Sequence, residues 1–351
     1  METRVCRLYG QQDVRIETDT VATPESGQVT VRVGAGGICG SDIHYFYEGG
    51  IGQIRVREPI ILGHEVAGTV IAVANGVTDL AIGQKVALNP SHPCGECEYC
   101  KKDLQQHCLN MRFFGSAIRL PHMQGAFRDV ITLDAKQCVP VSPGTSLAQA
   151  ACAEPLAVCL HAVSRAGDLT GKRVLVTGAG PIGALCAAAA KQAGAAEIIV
   201  TDLQDYALGV ARQMGATKTV NIATHASDLA VYEDGKGQID VCFECSAAAP
   251  AIQSAIKMLR PQGILVQVGV AGDIPVSFNP VVAKELMIIG THRFHTEYAD
   301  AVHAIDSGKI DVRPIITTSF DLEDAVAAFD MARDRSKAVK VHFAFADEMS
   351  H

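Results

Sequence analysis

The sequence predicts an α/β protein built from a β-rich unit and a doubly wound parallel sheet. Up to residue 150 the chain is rich in Gly, Pro and short β-branched runs, which is typical of irregular sheets joined by turns. From Gly171 onward, strand-like apolar segments alternate with helix-like segments. This alternation indicates a parallel sheet covered on both faces. A chain of 351 residues is also long for one core, so two domains are expected.

The β-rich unit contains strand-like segments in the order VTVRVGAGGIC, PIILGHEVAGTVIAV, QKVALNP and AFRDVITL. The segment GKRVLVTGAGPIGALCAAAAKQAGA then predicts a strand, a glycine turn and an Ala-rich helix. The strands EIIVTDL, IDVCFECS and ILVQVGV alternate with the helices YALGVARQMGA and PAIQSAIKMLRPQG. After residue 285 the alternation weakens into LMIIGTHRF, two helices and a final strand, KVHFAF. We therefore expect a β-rich domain over 1–150 and 286–351, and a cofactor domain over 151–285.

The composition indicates which classes of molecule the protein is expected to bind. The net charge is −8, and nucleic acids and anionic membranes both favour clustered positive charge instead. No basic start followed by an apolar run opens the chain, and no apolar run is long enough for a membrane span. We expect a cytoplasmic protein that acts on a small molecule and binds neither nucleic acid nor membrane.

A glycine motif predicts a dinucleotide site. Gly178, Gly180 and Gly183 follow a strand and open a helix, whose first amides and positive dipole suit a pyrophosphate. Asp202 ends the next strand, where an acid accepts hydrogen bonds from ribose hydroxyls and repels a 2′-phosphate. NAD is therefore predicted in preference to NADP; a glycine-rich turn that binds nothing is the alternative. The residues assigned to this site are Gly178, Gly180, Pro181, Ile182, Gly183, Asp202, Val268 and Val270.

Four of the twelve cysteines lie within SHPCGECEYCKKDLQQHC, at Cys94, Cys97, Cys100 and Cys108. In a reducing compartment such spacing indicates a closed, structural zinc site of four thiolates, with free or redox-active thiols as the alternative. The acidic residues around it argue against a nucleic-acid-binding ribbon. The other cysteines are dispersed, mostly among small apolar residues, and most of them are expected to be buried hydrophobes.

Four further residues could bind a catalytic metal. Cys39 lies in GGICGSDIH, His64 and Glu65 lie in LGHEVAG, and Glu154 lies in AEPLAV. Each residue type binds zinc, and three protein ligands with one open position form the catalytic arrangement. Taken singly, each could equally be a buried thiol, a core histidine or a surface acid, and spacing alone does not bring them together.

The motifs GGICGSDIHYF, LGHEVAG, the four-cysteine run, AEPLAV and VTGAGPIG occur in this order over essentially the whole chain. In that order and spacing the chain resembles the zinc-dependent medium-chain dehydrogenases. GSDIHY and EPLAV resemble the polyol dehydrogenases among them, and NPSHPCGECEYC followed by MRFFGSA resembles enzymes that act on L-idonate. The resemblance implies a GroES-like β-rich catalytic domain and a Rossmann cofactor domain.

The resemblance also implies site roles. Cys39, His64 and Glu65 would hold the catalytic zinc, while Glu154 would be a fourth ligand or would hydrogen-bond to a ligand water. Ser41 and His44 would form a proton path. Two zinc ions per chain and NAD as hydride acceptor are therefore expected. A homotetramer is expected from the polyol-like character, with a dimer as the alternative.

The substrate prediction depends on cations and aromatic residues near this site. A sugar acid needs a cation for its carboxylate, preferably the bidentate fork of Arg. Arg293 is implied by resemblance, and Arg112, Phe114, Tyr45 and Glu154 are further candidates for the pocket. We expect reversible oxidation of L-idonate at C5 to 5-keto-D-gluconate. A neutral polyol such as sorbitol or xylitol is the alternative, and an inactive cofactor-binding homologue is the non-enzymatic one.

Overall fold

The computed structural model describes residues 1–270 and 272–345. Its strands are β1 (Glu2–Gly10), β2 (Asp13–Thr20), β3 (Gln28–Gly37), β4 (Gly50–Ile51), β5 (Ile54–Arg55), β6 (Ile60–Ile61), β7 (Glu65–Val73), β8 (Lys85–Leu88), β9 (Ser91–His92), β10 (Arg112–Phe113), β11 (Val130–Asp134), β12 (Cys138–Pro140), β13 (Arg173–Thr177), β14 (Glu197–Asp202), β15 (Lys218–Asn221), β16 (Ile239–Glu244), β17 (Leu259–Gln267), β18 (Met287–Gly290), β19 (Ile316–Phe320) and β20 (Lys340–Ala344).

The α-helices are α1 (Gly40–Glu48), α2 (Glu98–Lys101), α3 (Leu147–Ala151), α4 (Ala153–Ala166), α5 (Pro181–Gln192), α6 (Asp205–Gln213), α7 (Ala249–Met258), α8 (Phe278–Ala283), α9 (Glu297–Asp306) and α10 (Ala325–Arg333). Short 3-10 turns occupy Gln105–His107, Ala135–Gln137, Ala226–Glu233, Arg313–Ile315 and Leu322–Asp324. Over the described ranges, no helix combines the length and the apolar character that a bilayer crossing requires.

The second half of the chain forms the predicted parallel sheet, in the order β15-β14-β13-β16-β17-β18. Strand β13 lies at its centre between β14 and β16, and all these neighbours run parallel. Both faces are apolar: Val174 and Val176 pack into one core cluster, whereas Leu175 packs into the other. This pattern confirms the predicted doubly wound arrangement, because alternate residues of a strand point to opposite faces.

The edge strand β18 of this sheet lies beyond residue 285, where the sequence analysis placed the end of the cofactor domain. Strand β18 (Met287–Gly290) pairs in parallel with β17. The weakened alternation after residue 285 therefore still contains one strand of the parallel sheet. The division at 285 remains a prediction, and the pairing of β18 favours a boundary a few residues later.

The β-rich part is organised around a mainly antiparallel sheet with the order β12-β8-β7-β3-β20-β19, in which β11 also pairs with β3 and only β19 and β20 pair in parallel among the described strands. Strand β20 returns from the end of the chain and pairs with β3, placing His342 opposite Gly37. Its core includes stacked rings of Phe46 and Phe329, whose centroids are 4.7 Å apart. The combination of a β-rich unit with a parallel sheet confirms the predicted fold class.

The ends of several elements converge at one place. Strand β3 ends two residues before Cys39, strand β7 begins at Glu65, and strand β20 begins at Lys340. The pairing of β3 with β7 puts Gly37 opposite Glu65. A side chain at Gly37 would meet the Glu65 carboxylate, since a Cβ there would lie 2.2 Å from Oε2. Glycine at this position therefore leaves room for a buried acid.

Candidate active site and cofactor cleft

Cys39 occupies the turn between strand β3 and helix α1. It is the N-cap of that helix, and its backbone N–H donates to Asp42 Oδ2 at 3.0 Å. The other Asp42 oxygen accepts from the Gly63 N–H at 3.3 Å and lies 3.8 Å from Nδ1 of His64. One fully buried carboxylate thus positions both segments that carry predicted ligands. Sequence reasoning missed Asp42, although an acid three residues after an N-cap is a capping signal.

The donor atoms of Cys39, His64 and Glu65 lie within 4.8 Å of one another. His64 and Glu65 are buried, whereas Cys39 is partly exposed toward a cavity. A thiolate, an imidazole and a carboxylate at this spacing suit zinc with one position left open. The donor set therefore fits a catalytic zinc ion, and the assignment of the three residues as ligands remains a prediction.

Lys340 is a further member of this site that the sequence did not indicate. Its Nζ lies 2.6 Å and 2.8 Å from the two Glu65 oxygens and 3.1 Å from the Ile38 carbonyl oxygen. Burial alone would raise the pKa of Glu65, but the Lys340 ammonium keeps that pKa below its usual value. Glu65 is therefore ionised, as a metal ligand must be.

Glu154 lies in the first turn of helix α4 and is buried. Burial raises the pKa of Glu154 to about 8, although the charge of nearby His64 opposes the shift. It stands outside the compact Cys39–His64–Glu65 donor group. This placement favours the interpretation in which Glu154 contacts the metal through a water molecule.

Ser41 and His44 lie three residues apart in α1, on one side of the helix. Ser41 interacts with the Cys39 thiol. His44 is exposed, its Nδ1 lies 3.0 Å from Glu48 Oε1, and it lines a surface cavity together with Gly40. One residue thus lies beside a candidate metal ligand and the other at the surface, and their role as a proton path remains a prediction.

Arg293 lies in the segment that follows β18 and is linked to the metal-ligand group through the ring of Phe113. Its guanidinium carbon lies 4.1 Å from the centre of the Phe113 ring, which also packs against His64 with a centroid distance of 5.5 Å. Arg293 interacts electrostatically with Glu154 and Tyr45. Its guanidinium makes no hydrogen bond to any residue in the described ranges, so its donors are available to a ligand. Tyr45 is buried, and its hydroxyl oxygen accepts from the Ala117 N–H at 3.2 Å.

Arg112 and Phe114 lie on either side of Phe113, and their contact with a substrate remains a prediction. Both line another cavity, together with His122 and Asp134, and the Arg112 side chain is exposed with Met123 Sδ at 3.4 Å from its Nε. Successive side chains of an extended segment point to opposite sides, so Arg112 in β10 and Phe114 just after it point away from the side that Phe113 faces. Phe113, which sequence reasoning passed over, is the aromatic residue that faces the site.

The four clustered cysteines form a separate lobe. Their sulfur atoms lie within 4.8 Å of one another, with Cys108 Sγ 3.5 Å from Cys94 Sγ and 3.9 Å from Cys97 Sγ. Tetrahedral zinc–thiolate geometry with bonds of about 2.3 Å requires sulfurs roughly 3.8 Å apart. Backbone hydrogen bonds, chiefly from Cys100, lower the pKa of Cys97 to about 6. The set fits a closed zinc site, as the spacing predicted.

This lobe contacts the segment that carries Arg293. The rings of His107 and His292 stack with centroids 5.9 Å apart, and His295 Nε2 lies 2.8 Å from Asp103 Oδ1. These two contacts flank Arg293, which has a positive φ of 53°. The lobe therefore helps to fix a backbone conformation that non-glycine residues seldom adopt.

The glycine motif lines a cavity of about 340 Å³ that extends from Asp202 to Cys39. Gly183 must be glycine, since a Cβ there would lie 1.8 Å from the Gly178 carbonyl oxygen. Gly180 is the N-cap of α5, and a Cβ there would project into open space. This empty cradle at a helix N-terminus fits the pyrophosphate of a dinucleotide.

The other residues predicted to bind the cofactor differ in whether they line this cavity. Asp202 lines the cavity and accepts from the N–H groups of Ala179 at 2.6 Å and Gln204 at 2.9 Å. Val268 and Val270 are not among the lining residues, and Val270 is 78% exposed. Their contact with the cofactor remains a prediction. The sequence missed Arg335, which lines the cavity from the opposite wall.

Comparison with protein families gives two matches along the chain. Residues 25–143 match the alcohol dehydrogenase GroES-like domain, and residues 181–307 match the zinc-binding dehydrogenase domain. The two matches correspond to the β-rich part and to most of the parallel sheet. Both clusters of candidate zinc ligands from the β-rich part, Cys39–His64–Glu65 and the four cysteines, fall within the first match.

Individual relatives extend over nearly the whole chain. L-idonate 5-dehydrogenase (NAD(P)(+)) of Escherichia coli is 37% identical over 98% of this chain and 99% of its own. The crystal structure of L-idonate 5-dehydrogenase from Escherichia coli superposes with a TM-score of 0.94, at 37% identity, and covers 98% of this chain and 99% of that one. Sorbitol dehydrogenase of Bacillus subtilis is 33% identical over 93% of this chain and 92% of its own.

Proposed function

The chain belongs to the zinc-binding alcohol dehydrogenase family, and we propose that it oxidises a secondary alcohol of a sugar acid with NAD. The proposed reaction is the reversible conversion of L-idonate at C5 to 5-keto-D-gluconate. The similarity to L-idonate 5-dehydrogenase supports this substrate class. The observation that carries the proposal is the position of Arg293 on the Phe113 ring that also packs against His64, without a hydrogen-bond partner in the described chain.

A bound zinc ion supplies Lewis-acid polarisation of the alcohol, and a bound nicotinamide ring supplies the hydride acceptor. Cys39, His64 and Glu65 would hold the zinc ion, and Asp42 would orient His64 through their 3.8 Å contact. Glu154 would hydrogen-bond to a ligand water beside these three residues. Lys340 keeps Glu65 ionised and aligned for this role.

The alcohol proton needs a way out of a largely buried site. Ser41 can accept it through its hydroxyl oxygen while donating its own proton onward. His44, exposed at the next turn of α1, would pass the proton to solvent. In this role the two residues transfer the proton, and the remaining residues align the substrate.

Arg293 supports the choice of a sugar acid. A guanidinium with free donors beside the metal-ligand group matches a carboxylate in geometry and charge, whereas hydroxyl groups alone do not require a cation. The Phe113 ring stacks on one face of the Arg293 guanidinium, so the N–H groups along the edge of the guanidinium stay available to the ligand. Tyr45 and Glu154 lie within the electrostatic range of Arg293 and would contact the carbohydrate hydroxyls.

The test compares Arg293→Leu with Arg112→Leu, since Arg112 is an exposed arginine outside the site. We expect Arg293→Leu to lower kcat/KM for L-idonate by about 100-fold, because a charge-assisted contact is lost. Its kcat/KM for sorbitol should change by less than about 3-fold, since a neutral substrate makes no such contact. Arg112→Leu should alter neither value.

A neutral polyol such as sorbitol is the second candidate, favoured by the similarity to sorbitol dehydrogenase. A wild-type kcat/KM higher for sorbitol than for L-idonate would establish that candidate and reject the sugar acid. Equal losses of kcat/KM for both substrates in Arg293→Leu would reject only the proposed contact between Arg293 and the carboxylate.

We also propose NAD as the preferred cofactor, because the Asp202 carboxylate at the end of β14 opposes a 2′-phosphate. The ratio of KM for NADP to KM for NAD measures this preference, and a ratio below one would contradict it. A cytoplasmic homotetramer, with a dimer as the alternative, is proposed from the polyol-like motifs. Light scattering of the purified protein distinguishes these states.

A further inference from the structure

Three of the dispersed cysteines form a cluster beside the cofactor cavity. Cys159 lies in α4, Cys186 lies in α5, and Cys245 directly follows β16. All three are free thiols. The Sγ atoms of Cys186 and Cys245 are 3.9 Å apart, and the Cys159 thiol also interacts with Cys186. A disulfide bond of about 2.05 Å between Cys186 and Cys245 therefore requires their sulfur atoms to approach by about 1.8 Å, which is within the reach of side-chain rotation.

The three thiols differ in their access to the cavity. Cys159 and Cys186 are fully buried, whereas Cys245 is partly exposed and lines the cavity together with Gly178 and Gly180. A small oxidant that enters the cavity therefore meets Cys245 first. Cys186 lies in contact with it on the buried side, where a second thiol can convert an oxidised cysteine into a disulfide.

Hydrogen bonds within the cluster favour one ionised sulfur. Those from the Cys159 and Cys245 thiols lower the pKa of Cys186, although its burial acts in the opposite direction. The contact with Cys186 raises the pKa of Cys245, which donates the hydrogen bond. Transfer of that proton from Cys245 to Cys186 places the negative charge on the sulfur that faces the cavity. The thiolate is the form of cysteine that reacts with oxidants.

The backbone at Cys245 packs against the glycine turn that shapes the cofactor cavity. The Cys245 N–H donates to the Thr177 carbonyl oxygen at 2.9 Å, one residue before Gly178. A Cβ at Gly178 would lie 3.3 Å from the Cys245 carbonyl carbon and 3.1 Å from the Ser246 backbone nitrogen. A displacement of Cys245 toward α5 therefore acts directly on the turn that binds the dinucleotide.

We propose that a peroxide oxidises Cys245, and that Cys186 converts the product into a disulfide that weakens binding of the dinucleotide. The proposal rests on the family's cofactor and not on the identity of the alcohol.

The chemistry takes two steps. In the first, the Cys245 thiolate attacks hydrogen peroxide: an S–O bond forms, the O–O bond breaks, and hydroxide leaves a sulfenic acid behind. This hydroxide takes the proton of Cys186. In the second step the Cys186 thiolate attacks the Cys245 sulfur, an S–S bond forms, the S–O bond breaks, and a second hydroxide leaves and is protonated by solvent. Two thiols have then lost two electrons and two protons, and the peroxide has become two water molecules.

Peptide mapping after peroxide treatment tests the proposed bond. The zinc-loaded protein is freed of reductant, treated with hydrogen peroxide, alkylated and digested with trypsin without reduction. Cys186 is the only cysteine of the tryptic peptide 174–191, whereas the peptide 237–257 contains Cys242 and Cys245. The variant Cys242→Ala removes this ambiguity. It is also the matched control for Cys186→Ala, because Cys242 is equally buried but packs in the core cluster on the other face of the parallel sheet.

We expect the two peptides to be linked in wild type and in Cys242→Ala, and not in Cys245→Ser or Cys186→Ala. In Cys186→Ala, dimedone should label Cys245, because its sulfenic acid has no neighbouring thiol to react with. Saturating NADH added before the peroxide should slow the linkage in wild type, since the cofactor fills the cavity that Cys245 lines.

Titration calorimetry without any alcohol measures the consequence for the cofactor. Each oxidised protein is compared with its own untreated sample, and zinc content and the unfolding midpoint report whether it is intact. We expect oxidation to weaken NADH binding by about 10-fold in wild type and in Cys242→Ala, as for the loss of one hydrogen bond to a charged group. Dithiothreitol should restore the affinity by thiol–disulfide exchange. Cys245→Ser should bind NADH equally well before and after peroxide.

Four results would overturn the proposal. The first is the absence of any linked peptide in peroxide-treated wild type, and the second is a link from 174–191 to the Cys159 peptide 137–165 in its place. The third is a linked protein that binds NADH with unchanged affinity. The fourth is an equal loss of NADH binding in Cys245→Ser together with zinc release, which would assign the effect to the candidate zinc ligands. None of these outcomes would affect the sugar-acid proposal, which is tested with alcohol substrates.

Discussion

At the scale of single residues, the buried pair of Lys340 and Glu65 is the contact on which the metal-ligand group most depends. Both side chains are almost fully removed from solvent, at 2% and 1% exposure. Burying either charge alone is costly, so each requires the other when no metal ion shares the carboxylate. The pair thus maintains an ionised carboxylate in the site before a metal ion arrives.

We expect Lys340→Met to lower the free energy of unfolding of the metal-free protein by about 3 kcal/mol or more, because it leaves a buried carboxylate without its cation. Denaturant unfolding of chelator-treated protein measures the change. Lys337→Met is the matched control, since Lys337 is exposed and pairs with Asp334 at 3.0 Å; it should cost less than about 1 kcal/mol. Equal effects of the two substitutions on the free energy of unfolding would show that the buried pair contributes no more to stability than the exposed pair.

Residues of the site that lie in a recognisable local motif could be predicted from the sequence. Residues that reach the site only through the folding of distant segments could not. Cys39 and His64 stand between glycines in recognisable motifs, and the structure brings their donor atoms together. Lys340 and Arg335 lie about 300 residues from Cys39 in KAVKV and RDRSK, which have no motif of their own. Only the pairing of β20 with β3 brings them to the site.

At the scale of elements, the strand period decides which side chains reach the site. The sequence predicted that MRFFGSA would supply pocket residues, and this segment does border the site. It does so through Phe113, which packs against His64, whereas Arg112 and Phe114 on either side of it line another cavity. The register of a two-residue strand is set by its partner β9, so residue-type arguments alone did not fix it.

Helices α4 and α9 are joined by a carboxylate that confers pH-dependent stability. Glu297 Oε1 lies 2.8 Å from Nδ1 of His161, and Oε2 accepts from the His295 N–H at 2.9 Å. Burial alone would raise the pKa of Glu297, but the His161 hydrogen bond brings it down to about 2. A depressed pKa contributes stability above the unfolded-state value, and this stability is lost as pH falls toward 2.

We therefore expect Glu297→Gln to destabilise the protein at pH 6 by about 1–2 kcal/mol, a value reduced for solvent screening. The difference from wild type should shrink as the pH falls from about 5 to about 2, because this carboxyl group takes up its proton first in the unfolded chain and only near pH 2 in the folded protein. Denaturant unfolding at several pH values measures it, with the exposed Asp300→Asn on the same helix as control. A difference independent of pH would refute the role of the charge.

At the scale of the whole molecule, the two classes of metal site differ in how firmly they should retain an ion. The Cys39–His64–Glu65 group offers three candidate ligands and opens onto a cavity, whereas the four cysteines form a closed set. Closed structural sites contribute directly to folding, whereas an open site exchanges its ion more readily.

Stepwise chelation should therefore separate activity from stability. We expect the first zinc equivalent removed to abolish activity and to leave the unfolding temperature nearly unchanged. Loss of the second should lower the unfolding temperature by several degrees. Zinc analysis, activity and thermal unfolding followed on the same samples test this order, and Cys39→Ala should start with one zinc. A stability loss that accompanies the first equivalent would contradict the assignment of the two sites.

The architecture was largely predictable because periodicity and glycine turns are local properties. Strands β13, β14, β16 and β17 and their intervening helices lie where the alternation placed them. Strand β15 was missed, since KTVN is short and partly polar, and β18 lay beyond the expected boundary. Edge strands carry weaker patterns than central ones because fewer of their faces are buried.

The contacts of the cysteine lobe with the segment around Arg293 have a consequence for how the enzyme can evolve. Asp103 and His107 lie beyond any predicted substrate contact, yet they touch His295 and His292 on either side of Arg293. A displacement of about 1 Å at a positioned group can change a rate by about 100-fold. With Arg293 in its proposed role, mutations between the cysteines would retune substrate preference from outside the pocket, while every ligand and every pocket residue stays the same.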